Sequence, residues 1–448
     1  MKIERGFWAD KWSAWGDREA VVGRDLSIAF GALSRDVAAW HARLDAAGVA
    51  PGAIVAILGD GWRTLVPVLL ALSERAAVLV PIVSASEDQV RDFLGIAAVD
   101  FTVDARGDSA IVEKRAPPPR HDLTAKLVAT GQPGLILFSS GSTGTPKAIL
   151  HDFGRMLEKY QQTRPGGRLV CFLLPDHIGG VNTLLHALSY GGTVIALTER
   201  DPDSVCAAIA KHKAEVLPTS PTFLNLLLVS GARERHDLSS LKVITYGTEL
   251  MPATVLERVR EAFPTCELRQ TYGLSEVGIL RSKSRPDGSL WIRVGGEGYE
   301  TQVRDGVLWV RAESAMLGYL NAPSAFDAQG WFNTQDMVEQ DGEWLKFLGR
   351  KSEIINVGGQ KVYPAEVESV LLRMAGVKEA TVRGEKNPLL GQAVVARVSL
   401  DGDEDARAFK DRMRAFCAGK LAPYMIPVKV ELAARAQHNA RFKKIRNE

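Results

Sequence analysis

Residues 138–147 read FSSGSTGTPK, and seven of these ten are Gly, Ser or Thr. The composition suits a loop that holds an oligophosphate. Gly141 and Gly144 let backbone N–H groups approach an anion, Ser139, Ser140, Ser142 and Thr143 supply hydroxyls, and Lys147 adds charge. It is not a Walker loop, which needs Gly-Lys followed by Ser or Thr to carry the metal. Here Lys147 lies between Pro146 and Ala148. Pro146 also steers Thr145 away from helical geometry, so the loop cannot run straight into a helix. The competing reading is a flexible surface loop. The apolar run GLILF (134–138) argues against it, because it anchors the loop at the end of a sheet, where α/β folds bind ligands.

Outward from this loop, short apolar runs alternate with helical patterns. GALSRDVAAWHARLDAAGV (31–49) sets Leu33, Val37, Trp40 and Leu44 on one helical face, Gly48 stops it, and AIVAIL (53–58) follows as a buried strand. WRTLVPVLLALS leads to AAVLVPIV, DSVCAAIAKHK to AEVLPTS, and LKVITYG through ATVLERVREAF to ELRQTYG. Such alternation predicts an α/β fold of helix-covered, mostly parallel sheets. After RPDGSL (285–290) the texture changes to short alternating strands with Asp-Gly turns, which predicts an antiparallel sheet or a small β-barrel-like part. RAPPPR (115–120) reads as a connector. A smaller α+β segment begins near Arg350, so the expected domains are 1–349 and 350–448.

The bulk properties remove several classes. With 448 residues, more than one domain is expected. A net charge of +2, from 55 basic and 53 acidic residues, gives no reason to invoke nucleic acid or an anionic membrane. MKIERGFWADKWSAWGD (1–17) has no apolar signal core, and the apolar stretch 65–83 is broken by Ser73, Glu74 and Arg75, so it reads as helix, turn and strand. The expectation is a cytoplasmic chain with no membrane span. Cys171, Cys206, Cys266 and Cys417 form no Cys-x-x-Cys pair, and the eight histidines form no ligand motif.

If the loop does not carry a metal, a carboxylate elsewhere must. QTYGLSEVG (270–278) offers Glu276 past a strand, with Tyr272 able to stack on a purine; a solvated strand-end Glu is the alternative. Asp336 and Arg350 stand at either end of a hairpin-like unit. They suit a ribose diol and a ribose or phosphate oxygen, or simply form a hairpin salt bridge.

These stretches, in this order, resemble the adenylate-forming superfamily of acyl-CoA synthetases, non-ribosomal peptide adenylation domains and beetle luciferases. FSSGSTGTPKAIL resembles its phosphate loop and TYGLSEVG its Tyr-Gly-x-Thr/Ser-Glu motif. ESAMLGYLN (313–321), GWFNTQD (330–336) and FLGRKSEIINVGGQKVYPAEVE (347–368) resemble its later motifs. The likeness runs from residue 25 to the C-terminus.

The resemblance implies an AMP-forming acid–thiol ligase using ATP and Mg²⁺, with coenzyme A or a carrier-protein phosphopantetheine as acceptor and a small or fatty carboxylic acid as substrate. By position, Ser139 to Lys147 would hold the ATP phosphates. Gly247, Thr248 and Glu249, with Thr271, Tyr272, Gly273 and Ser275, would frame the nucleotide. Glu276 would bind Mg²⁺, and Asp336 and Arg350 the ribose. The resemblance also implies a mobile C-terminal domain bringing a catalytic lysine to the α-phosphate and the substrate carboxylate. In NARFKKIRNE (439–448), Lys443 with Arg446 fits the expected Gly-Lys-x-x-Arg spacing.

The departures are Ala148 for a Gly, Gln335 for the Gly of Thr-Gly-Asp, Ser352 at the expected hinge, Asn439 for a Thr, and Phe442 for the Gly before the lysine. Adjacent side chains of an extended tail point to opposite sides, so only one of Lys443 and Lys444 can enter the site; a solvated basic tail is the alternative. His177 resembles the His of His-x-x-Gly beside the acyl tunnel, with a packed loop histidine as the alternative. Gly179 and Gly180 leave room for an acyl chain, and Thr222 is a further substrate-side candidate. Asp176, the only nearby acid, does not align with an ammonium-binding Asp, which favours a simple acid over an amino acid. A non-catalytic nucleotide-binding homologue is the remaining alternative.

Overall fold

The structure, a computed structural model, describes residues 3–106, 110–139, 146–162, 164–433, 437–439 and 442–446. Among the described residues the chain builds three seven-stranded sheets and a five-stranded one. Two of the seven-stranded sheets are helix-covered. One runs Glu267–Gln270, Val243–Tyr246, Val216–Thr219, Arg168–Val170, Thr193–Ile195, Glu19–Gly23, Leu26–Ala29, parallel except for its last pair.

The other has Gly134–Ser139, Val78–Ile82, Ile54–Leu58 and Phe101–Asp104 as a parallel centre with antiparallel strands at both edges. Its middle strands Ile54–Leu58 and Val78–Ile82 are apolar throughout, as strands covered on both faces are. Val78–Ile82 is buried at every position, and helix Trp62–Ser73 precedes it. Helix Phe30–Ala46 buries Leu33, Val37, Trp40 and Leu44, the stripe its periodicity predicts.

The alternating region after residue 270 forms the third sheet, which is antiparallel and runs from Tyr272–Leu274 at one edge to Tyr299–Arg304 at the other. It is open, not a barrel. Alternating burial announces an antiparallel sheet, but closure needs the two edge strands to pair, and among the described residues these do not.

The fourth sheet holds Gln360–Val362, Ile355–Val357, Gly391–Leu400 and Val377–Asn387, with Lys429–Leu432 parallel on Gly391–Leu400. Helices Pro364–Leu371 and Ala406–Cys417 accompany it. It docks on the large unit through polar ties. Asn225 donates to the Lys378 carbonyl at 2.7 Å, and Thr254 donates to the Ser369 carbonyl at 2.8 Å. Helix Pro221–Val229 supplies Asn225 and also faces the C-terminal tail.

Candidate active site

The phosphate-type loop joins two antiparallel strands, Gly134–Ser139 and Lys147–Asp152, with Ser139 opposite Lys147. Pro146 is thus followed by a strand, not a helix. Ser140, Gly141, Ser142, Thr143 and Gly144 lie outside the described residues. The loop's exit is held by Asn321, whose side chain donates to the Pro146 carbonyl at 2.8 Å and accepts from the Ala148 N–H at 2.9 Å. Asn321 follows the short strand Gly318–Tyr319, which pairs with Leu150 and Ile149.

Tyr319 connects two predicted site residues. Its phenol donates to Glu276 Oε1 at 2.8 Å, and Lys147 Nζ lies 5.0 Å from its ring centroid. Burial first, and the Glu276 charge second, push the Tyr319 phenol far above its ordinary value, so it stays protonated and donating. His151 makes a second tie: its Nε2 donates to the Ser275 carbonyl at 2.7 Å. Burial lowers this imidazole to about 4, which keeps it neutral.

Asp336 and Arg350 face each other across the hairpin of Phe332–Asp341 and Trp344–Arg350, with Arg350 Nε 3.3 Å from Asp336 Oδ1. Tyr272 brings a third group, donating to Asp336 Oδ2 at 2.7 Å while its ring stacks on Phe347. The Asp336 carboxyl is raised by burial, against the pull of Arg350. Thr334 Oγ1 accepts from the Asp336 N–H at 3.0 Å and fixes that carboxylate's backbone. Gln335, where a Gly was expected, has φ 62°, in the left-handed region that favours glycine.

Gly247 follows strand Val243–Tyr246 and lies beside Thr271. A Cβ there would come within 2.5 Å of Thr271 Oγ1, so only glycine lets these two segments meet. Thr248 next to it has φ 71°. Glu249 is engaged at both oxygens, accepting from the Thr222 N–H at 2.7 Å and from the Lys444 N–H at 3.1 Å. It therefore clamps the tail to the start of helix Pro221–Val229.

His177 caps helix Ile178–Ser189, its Nδ1 accepting from the Gly179 N–H at 3.0 Å. That leaves the ring proton of a neutral imidazole on Nε2, which lies 3.4 Å from Lys443 Nζ. The room expected beside Gly179 and Gly180 is taken up by neighbours. A Cβ on Gly179 would meet Leu173 Cδ1 at 2.5 Å, and one on Gly180 would meet the Leu174 carbonyl oxygen at 2.0 Å. Gly180 thus serves close packing of the helix on the 173–174 backbone, whereas the neighbour of Gly179 is the movable end of the Leu173 side chain. Asp176 holds the backbone, its Oδ2 accepting from the N–H groups of Val83 and Ser84 at 3.2 and 3.1 Å.

The two tail lysines diverge. Lys443 faces His177, whereas Lys444 Nζ lies 2.8 Å from Glu368 Oε2 and Arg446 Nη2 lies 3.1 Å from the same oxygen. Glu368 is 1% exposed and Lys444 15%, so at Lys444 the alternative of a solvated tail does not hold.

Tyr319, Asn321 and His151 were not singled out from sequence. The first two lie in ESAMLGYLN, so the motif was legible but its roles were not.

A family model described as AMP-binding enzyme matches residues 8–320, and one for the AMP-binding enzyme C-terminal domain matches 366–443. The chain belongs to the AMP-binding enzyme family. Among curated proteins it is similar to the 2-succinylbenzoate–CoA ligase of Bacillus subtilis, 30% identical over 338 residues, 70% of this chain and 68% of that one. It is also similar to the indoleacetate–CoA ligase of Aromatoleum aromaticum, 29% identical over 485 residues, 93% of both chains. Among solved structures, the anthranilate CoA ligase AuaEII in complex with anthranoyl-AMP shares the fold, with a TM-score of 0.80, 19% identity, and coverage of 98% of this chain and 94% of that one.

Proposed function

We propose that this chain is an AMP-forming ligase that joins a small carboxylic acid to coenzyme A at the expense of ATP. The observation that carries the reading is Lys443 Nζ, brought by the C-terminal tail to 3.4 Å from His177 Nε2 of the large unit. An ammonium held at that place on the large unit is suited to an anionic oxygen of a carboxylate or phosphate. Several curated relatives carry acid–CoA ligase names, which supports coenzyme A as acceptor.

In the first half-reaction a carboxylate oxygen attacks the α-phosphorus of ATP, and the bond to pyrophosphate breaks. In the second, a thiolate attacks the acyl carbonyl and AMP leaves with the bonding electron pair. Both reactants of the first step are anions, so the site's task is to neutralise charge and hold the attack in line. Lys147 and the loop would serve the phosphates, Lys443 the entering carboxylate and α-phosphate, and Asp336 with Arg350 and Tyr272 the ribose. Glu276 would hold Mg²⁺. A single carboxylate fits that ion, which takes most of its ligands from phosphate oxygens and water. Bound there, Mg²⁺ would offset charge on the departing pyrophosphate.

The reading includes a division near Arg350, with the C-terminal part moving between half-reactions. Among the described residues no helix is long and apolar enough to cross a membrane. The test is acid-dependent pyrophosphate release over a panel of carboxylic acids, followed by thioester formation with free coenzyme A. Release with no acid on the panel overturns the reading. Release without transfer to free coenzyme A points instead to a carrier-protein pantetheine.

A further inference from the structure

The residue before Lys443 departs from the expected glycine, and the structure shows what the replacement does. Phe442 has φ 53°. A bulky side chain is rarely found in that region, whereas glycine enters it freely, so something must hold Phe442 there. Its ring is the holding element. The ring centroid lies 5.3 Å from that of Phe172 and 5.5 Å from that of Phe223, the latter edge-on at 87°. Phe172 and Phe223 are themselves fully buried, with centroids 4.4 Å apart. On the tail side, His438 stacks on Phe442 at 4.8 Å and 18°.

The backbone repeats the attachment. The Phe442 carbonyl accepts from Ser220 Oγ at 2.9 Å. Ser220 is also the N-cap of helix Pro221–Val229, accepting from the Phe223 N–H at 3.2 Å. Ring and carbonyl thus seat the same residue on one helix start. On the tail itself, Asn439 Oδ1 accepts from the Lys443 N–H at 3.1 Å, which ties the backbone of the lysine to Asn439. Phe172 belongs to the short segment that leads to His177, so the ring rests on the piece of chain that also carries the partner of Lys443.

We propose that Phe442 is a positioning residue for Lys443. Its ring, seated against Phe172 and Phe223, registers the tail on the large unit so that the lysine meets the reacting carboxylate. The same seat must be vacated when the C-terminal part turns away, so Phe442 favours adenylation over thioester formation. Glycine in its place would give the turn without the anchor. This rests on the function proposed above.

The test separates the two half-reactions in the full-length protein. Phe442→Gly should slow acid-dependent ATP–pyrophosphate exchange on the order of tenfold through kcat, with KM for ATP little changed, since one aromatic anchor is lost. Thioester formation from supplied acyl-AMP should be unchanged or faster. Phe442→Tyr should recover most of the exchange rate. Hydrogen exchange gives a readout independent of turnover: the Lys443 and Lys444 amides should lose protection in Phe442→Gly and keep it in Phe442→Tyr. Equal slowing of both half-reactions, or wild-type exchange rates and protection in Phe442→Gly, overturns the assignment. Wild-type protein that exchanges with no acid would instead count against the parent reading, and the amide protection would still decide the seat.

Discussion

Tyr319 donates its phenolic proton to Glu276 at 2.8 Å while its ring lies 5.0 Å beneath the Lys147 ammonium. One aromatic side chain thus orients the candidate metal carboxylate and the candidate phosphate lysine together. Tyr319→Phe keeps the ring face and removes only the hydroxyl. It should raise the Mg²⁺ concentration for half-maximal pyrophosphate release roughly tenfold, as loss of a ligand-orienting partner does. Glu276→Gln should have the larger effect. Identical Mg²⁺ titrations for both variants and wild type would place the metal carboxylate elsewhere.

Lys443 and Lys444 should fail differently. Lys443→Ala should cost pyrophosphate exchange about 10²–10³-fold, the effect of removing a well-placed donor, with the urea midpoint unmoved. Lys444→Ala strips one cation from buried Glu368, with Arg446 still in place. It should cost about 1–3 kcal/mol of stability. Urea unfolding and exchange assays on the pair decide this, and a reversed pattern would exchange the two roles.

Asp336 accepts from Tyr272 and faces Arg350 across the hairpin. Asp336→Asn leaves the geometry and removes the charge, so KM for ATP should rise about tenfold. Tyr272→Phe should cost less, because the carboxylate remains. Unchanged nucleotide affinity in Asp336→Asn would leave the trio as a hairpin tie and nothing more.

Acid should loosen the tail. Burial alone would raise the Glu368 carboxyl, but the charges of Arg446 and Lys444 outweigh it and hold the group down at about 2, against an ordinary 4.5. The folded chain then binds fewer protons here than the unfolded chain between those values. This contribution is fully present above the unfolded value and is lost as pH falls through the folded one. Stability should therefore decline from about pH 4.5 towards about pH 2. Glu368→Gln should flatten that part of the curve in urea titrations across the window. An unaltered slope would mean that other carboxylates carry it.

Local pattern reached some of this and not the rest. The helix stripe of Leu33, Val37, Trp40 and Leu44 and the apolar run 134–138 were legible because periodicity and hydropathy act within a few residues. Tyr319 was not, because its value depends on a strand register with Ile149 and on a partner at Glu276, both settled by tertiary pairing. The open sheet illustrates the same limit, since alternation cannot say whether edges meet. Gly179 and Gly180 read as room for substrate because composition shows a missing side chain but not the neighbour that fills its place. In the tail, two adjacent lysines look alike until Glu368, far back in the chain, takes one of them inward.

The strand pairing that brackets residues 140–145 also governs how that stretch can change length. Ser139 is matched to Lys147, and Asn321 straps Pro146 to Ala148, so both ends of the loop are moored independently of what lies between them. With both ends so tied, adding or removing one residue there should leave the strand registers alone, and for a flexible loop even a doubling of length costs only about 0.6 kcal/mol in closure. A ligand gripped by successive amides has no such latitude, because a one-residue slip presents a different set of donors. Under the proposed function, length variants of this loop should therefore melt like the parent while losing ATP, an insertion that folding would tolerate and nucleotide binding would not.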